Sequence, residues 1–114
     1  MAGRYMSYAA IERRIQRGDI IILDGGTGTE LERRGVSMDP NAWCGPASLA
    51  NAELLTAIHG DYIAAGADVI TTNTFASSRP MLDAAGYGDR FEEINRTAVR
   101  AAERARPRAG VTTC

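Results

Sequence analysis

"IIILDGGTGTE", residues 20–30, is the stretch on which the reading of this sequence turns. Four consecutive aliphatic residues, Ile20 to Leu23, run into an acid, and Gly25, Gly26 and Gly28 follow closely. An unbroken β-branched and aliphatic run of this length is the pattern of a strand covered on both faces, as in parallel sheets. The strand ends at Asp24. The glycines after it pose a choice between a phosphate-cradling loop and a turn that leaves the acid free to act.

The phosphate reading has little support. A dinucleotide fingerprint needs three glycines in G-x-G-x-x-G order, and Leu31 stands where the third would fall after Gly26 and Gly28. A Walker loop needs a lysine, and all 13 basic residues are arginine. The same absence removes Schiff-base chemistry. An acid at the carboxyl end of a buried parallel strand is a different signal, because strand ends form the floor of the site in barrels and open α/β sheets. There Asp24 suits a cationic group such as a substrate ammonium. Capping of the turn through the amides of Gly26 or Thr27 is the structural alternative.

Working outward, Tyr8, Ile11 and Ile15 recur at helical spacing between Ser7 and Arg17, and Gly18 supplies a stop. "TELERRG" reads as a short helix closed by Gly35, and residues 36–50 as a loop rich in Pro, Asn, Gly and Ser. Asn51 offers an N-cap to a helix reaching about Ala65, with Leu55, Ile58, Tyr62 and Ala65 on one face and Gly66 after it. "ADVITTNTF" (67–75) follows as a second buried strand. A third helix begins near Asp89 and Glu92, carries an apolar stripe of Phe91, Ile94, Ala98, Ala101 and Ala105, and stops at Pro107. "AGVTTC" (109–114) opens a third strand.

Strand and helix in alternation are the βαβ rhythm of an α/β protein. In a parallel arrangement the end of the second strand shares a rim with Asp24, so Thr72, Asn73 and Thr74 become neighbours of the acid. Threonine is also simply a good strand former and asparagine a good terminator. His59, mid-helix, reads as a packing or surface histidine, and Cys44 as a small buried thiol in a loop. Trp43 either walls a pocket or plugs a core. The two "ERR" runs, at Glu12 and Glu32, read as solvated helix faces.

With 114 residues, the sequence is one domain or part of one. A formal charge of −1 from 13 basic and 14 acidic side chains argues against a nucleic-acid or membrane-surface partner. No apolar stretch approaches the roughly 20 residues of a membrane span, and the start lacks a signal core. Two cysteines, Cys44 and Cys114, give no disulfide framework, and a cytoplasmic location is the default. About three strands leave an open sheet edge, so the unit reads as incomplete and able to associate with itself or with a separate remainder.

Taken together, "ILDGGTGTELERRG", Trp43, "HGDYIAAGADVITTNTF" and "NRTAVRAA" resemble the amino-terminal third of the homocysteine S-methyltransferase family. The resemblance runs from about Ile20 to Ala105. It implies that residues 1–114 are the first three or so βα units of a (β/α)8 TIM barrel, incomplete as given. It also implies a function, transfer of a methyl group to the homocysteine thiolate to give methionine. The donor would be S-methylmethionine, S-adenosylmethionine, betaine, or methylcobalamin or folate. Zinc would hold the thiolate. By this resemblance Asp24 holds the homocysteine amino group, with Gly25 and Thr27 in the same motif, and Asn73 and Thr74 line the site; no residue receives a catalytic role. The family's zinc ligands are cysteines in G-x-N-C and G-G-C-C motifs, and this sequence contains neither. Where the family more often has serine after the tryptophan, Cys44 stands here. The resemblance therefore implies a chain that lacks zinc ligands and is inactive alone.

Overall fold

Leu23 forms a parallel bridge to Val69, and around it the chain assembles two further pairings. The computed structural model describes residues 7–106 and the backbone strand Thr112–Thr113. Helices α1 (Tyr8–Gln16), α2 (Thr27–Arg33), α3 (Ala47–Ala50) and α4 (Ala52–Ala64) precede strand β1 (Val69–Ile70). Helices α5 (Arg79–Ala84) and α6 (Phe91–Ala105) then lead to strand β2 (Thr112–Thr113). β1 pairs in parallel with β2, Val69 opposite Thr112 and Ile70 opposite Thr113. The spatial order is therefore the 20–23 segment, β1, β2, all parallel. Among the described residues this is a helix-rich α/β arrangement with no closed barrel.

The strands are shorter than the sequence suggests. The first is reduced to the bridge at Leu23, supported by Asp24 N–H donating to the Val69 carbonyl at 3.0 Å and Asp68 N–H to the Ile22 carbonyl at 2.7 Å. Nor is it covered on both faces: Ile20 is 81%, Ile22 52% and Leu23 63% exposed. Only β1 lies beside it among the described residues, so one edge and most of its apolar side chains meet solvent. The second strand keeps only Val69–Ile70 of the expected 67–75, because Thr74 N–H turns back to the Thr72 carbonyl and Phe75–Ser77 winds into a 3-10 turn. Of the expected third strand, Thr112–Thr113 is paired; its other residues, like Pro107, lie outside the described ones.

The helices follow the apolar spacing more closely. Gly18, Gly35 and Gly66 all stand at positive φ after α1, α2 and α4, the left-handed position that ends helices. On α1 only Ile11 of the expected stripe is buried. α4 buries Leu55, Ile58, His59 and Ile63, whereas Ala65 is exposed; Asn51 sits at its start without capping it. α6 buries Ile94, Ala98, Ala101, Ala102 and Ala105 against α4, and its small alanines let the two helices approach. Leu31, Leu55 and Ile58 are fully buried in one cluster, each stabilising the fold by roughly 1.5–3 kcal/mol. α3 and α5 were not read from the sequence. No helix among the described residues is long and apolar enough to cross a membrane.

The "ERR" runs are not simply solvated. Arg14 donates to the Asp68 carboxylate at 2.9 Å, whose other oxygen accepts the Ile22 N–H at 3.0 Å, so α1 is tied to both parallel segments. That pairing, with Arg14 as the main cause, holds the Asp68 carboxyl below its ordinary pKa. Arg34 bridges Glu30 on its own helix and Asp61 on α4. With Arg33 and Arg34 donating to it, the Glu30 carboxyl falls to about 2.

Candidate functional site

The turn that follows Leu23 carries the glycines of the opening motif, and none of Gly25, Gly26 or Gly28 has positive φ. Close packing explains two of them. A Cβ on Gly25 would lie 2.9 Å from the Tyr62 hydroxyl and 3.1 Å from its ring, and one on Gly28 would lie 3.0 Å from Cys44 Sγ. Tyr62 comes from α4 and donates its hydroxyl to the Gly26 carbonyl at 3.0 Å. The turn is thus pinned from below by a helix.

Asp24 does not cap the turn through Gly26 or Thr27. Its carboxylate accepts the Thr71 N–H on Oδ2 at 2.8 Å and the Thr71 hydroxyl on Oδ1 at 3.1 Å. Thr71 is the residue after β1, so the acid ties one strand end to the next. A carboxylate has about four acceptor positions. Two face Thr71 and the rest remain for a donor in the cavity that Asp24 lines.

That cavity has a volume of about 680 Å³, within the range of small-molecule sites. Asp24, Gly25, Thr27 and Asn73 all line it, with Leu23, Met38 and Thr72 among the other walls. Thr74 does not line it; its hydroxyl pairs with that of Thr72 at 2.9 Å. The rim carries Trp43 and Phe75, stacked with ring centroids 6.3 Å apart and planes 23° from parallel. Trp43 is therefore a pocket wall and not a core plug. Its backbone is held at φ 45, a costly region for a bulky residue. Reciprocal bonds between the Asp39 and Trp43 backbones at 2.9 Å, and Asp39 Oδ1 accepting from Asn41 and Ala42, close the turn that keeps it there.

Asn73 is buried and engaged. Its amide nitrogen donates to the Cys44 carbonyl at 3.0 Å and to Ser48 Oγ at 2.9 Å, and its oxygen accepts from Cys44 Sγ at 3.1 Å. Burial pushes the Cys44 thiol pKa up. His59 is fully buried, and neither ring nitrogen has a hydrogen-bond partner. Burial lowers its pKa, opposed by the Asp24 charge.

Among the described residues, no three His, Cys, Asp or Glu side chains converge as a metal ion requires. Cys44 is committed to Asn73, and His59 is enclosed on α4. As placed, these residues do not fit zinc.

Sequence reading missed Thr71 and Tyr62 as parts of the site. Thr71 sits two residues past Val69 of the Leu23–Val69 bridge, a placement that only the pairing fixes. Tyr62 looked like an ordinary member of an apolar face, and Gly25, which its ring crowds, was the available clue.

The family model for homocysteine S-methyltransferase matches residues 21–113. Selenocysteine Se-methyltransferase of Brassica oleracea var. italica is 33% identical over 100 residues, which are 87% of this chain and 29% of that protein. Homocysteine S-methyltransferase 4 of Zea mays is 33% identical over 92 residues, 80% of this chain and 27% of that one. The crystal structure of the homocysteine methyltransferase MmuM from Escherichia coli, in its oxidized form, superimposes with a TM-score of 0.77 at 27% identity, covering 91% of this chain and 39% of that chain. The chain thus spans well under half the length of the proteins it matches, and over that span it belongs to the homocysteine S-methyltransferase family.

Proposed function

We propose that this chain supplies the homocysteine-ammonium corner of a homocysteine S-methyltransferase site, the first part of a (β/α)8 barrel. The observation that carries the proposal is Asp24, held at a strand end by Thr71 with acceptor positions left on the cavity side. Asp24 takes the homocysteine ammonium in a charge-assisted hydrogen bond. Gly25 and Thr27 border it, and Asn73 and Thr74 complete the second strand end, Asn73 as wall and Thr74 through its hydroxyl pair with Thr72.

The exposed Trp43 and Phe75 faces favour a donor whose methyl sits on a positive centre. A sulfonium or quaternary ammonium is attracted to aromatic faces by cation–π interaction, by about 0.5–2 kcal/mol. This favours S-methylmethionine, S-adenosylmethionine or betaine over a methylcobalt donor.

Zinc activation of the thiol belongs to the family resemblance, whose cysteine motifs this sequence lacks. The 114-residue chain alone therefore binds substrate without turning it over. Metal analysis combined with a methionine-formation assay tests this: the expected result is no methionine, and turnover with stoichiometric zinc would overturn it.

A second reading, self-association through the open edge, is favoured by the exposed Ile20, Ile22 and Leu23. Sedimentation equilibrium separates the two, since a monodisperse monomer at high concentration removes this reading and leaves the first intact.

A further inference from the structure

Asn73 has an unusual number of commitments for a residue at the rim of a binding cavity. Both of its amide hydrogens and one of its oxygen lone pairs are used by Cys44, in the loop that carries Trp43, and by Ser48 on α3, and the residue is only 6% exposed. The orientation of the amide is fixed by chemistry, because the Cys44 carbonyl can only accept and so must face the NH₂ group. Ser48, the third partner, is fully buried at the start of α3. The bonds thus reach both sides of Gly45, which packs on the Ala76 carbonyl next to Phe75.

From this geometry we infer that Asn73 is a positioning residue, a latch that holds the Trp43 loop so that the indole stays stacked on Phe75 at the rim of the cavity containing Asp24. Three independent constraints support it. Trp43 stands at φ 45, a conformation that persists only when its surroundings over-determine it. The two rings face each other at 6.3 Å although both are largely exposed, so burial alone does not hold them together. The loop touches the 3-10 turn at Gly45, where a side chain would collide with backbone. Asn73 joins these constraints, because it follows Thr71 and Thr72 on the segment leaving β1 and so transmits the position of the strand end to the aromatic wall.

The role of that wall in donor binding rests on the function proposed above, but the latch itself does not. Both donors and one acceptor position of Asn73 are committed to Cys44 and Ser48, so its main effect on substrate is exerted through Trp43.

Trp43 is the only tryptophan in the sequence, so its fluorescence reports the latch directly. Emission and acrylamide quenching are to be measured without ligand for the 114-residue chain and for Asn73→Ala, Ser48→Ala, Cys44→Ala and Cys44→Ser. Ile63→Ala, in the α4–α6 core, serves as a control that destabilises the fold away from the cavity. Loss of the latch is expected to red-shift the emission and raise the quenching in the three alanine variants, with Ser48→Ala and Cys44→Ala keeping the test open should Asn73→Ala fold poorly. Cys44→Ser, which keeps a donor to Asn73, should stay close to the parent, and Ile63→Ala should lose thermal stability without the spectral change. Trimethylsulfonium affinity should fall roughly tenfold in the alanine variants if the wall is competent only about a tenth of the time. Unchanged Trp43 spectra in all three alanine variants would overturn the latch. Shifted spectra with no trimethylsulfonium binding by the parent chain would retain the latch and remove the donor reading.

Discussion

Asp24 and Thr71 are joined twice, through the Thr71 N–H at 2.8 Å and its hydroxyl at 3.1 Å, and this double bond pattern fixes the carboxylate plane at the end of the first parallel segment. Thr71→Val keeps the backbone bond and the side-chain shape but removes the hydroxyl. Thr71 is exposed, so the expected stability change is under about 1 kcal/mol. Homocysteine affinity should fall several-fold, because Asp24 is then free to rotate. Titration calorimetry on the two proteins checks this, and an unchanged affinity would remove the hydroxyl from the account.

His59 makes stability depend on pH. Its folded pKa lies below the ordinary 6.5, so the unfolded chain takes up the proton first and stability is lost as pH falls below 6.5 towards the folded value. His59 is the only histidine, which isolates the effect. Replacing it with Met removes the two unpartnered ring nitrogens, which is expected to raise stability at neutral pH by roughly 1 kcal/mol and flatten this limb of the curve. Thermal melts across that range check both parts.

A second acid limb comes from Asp68 and Glu30. Both carboxyls are depressed in the fold, by Arg14 and by Arg33 with Arg34, so their contributions are complete above the ordinary carboxylate range. They fade as pH falls, for Glu30 between 4.5 and about 2. Asp68→Asn should lower Tm at neutral pH and lessen the loss of Tm between neutral pH and the acid limb. An unchanged acid limb would place the dependence elsewhere.

Gly45→Ala tests the approach of the Trp43 loop to the Phe75 turn. The added Cβ would strike the Ala76 carbonyl oxygen and lie 3.1 Å from that of Ala42. Backbone on both sides cannot yield cheaply, so the expected cost is about 1–3 kcal/mol. Trp43 emission should shift with it, and a stable variant with an unshifted spectrum would count against the packing described.

The helices, and the position of Asp24 at a strand end, were legible in the sequence because periodicity and punctuation are local signals. Ile94, Ala98, Ala101 and Ala105 bury as their spacing suggests, and Gly18, Gly35 and Gly66 end helices where expected. The strands were legible in position but not in extent. Ile20 to Leu23 read as buried on both faces, yet burial depends on what lies alongside, and only β1 does so among the described residues. α5 escaped because six residues with Pro80 in the first turn show no period. Within the site, the adjacency of Asp24 and Asn73 followed from parallel topology. Asn73's engagement with Cys44 and Ser48 depended on a loop whose path no local pattern specifies.

The central claim is that Asp24 receives the substrate ammonium. The most direct measurement is a calorimetric cycle in which homocysteine and its des-amino analogue, 4-mercaptobutanoate, are each titrated into the chain and into Asp24→Asn. The account predicts that the parent favours homocysteine by roughly 10- to 100-fold, the worth of a hydrogen bond to a charged group, and that Asp24→Asn loses this preference. Equal affinity of the parent for both ligands, or a preference retained by Asp24→Asn, would contradict it.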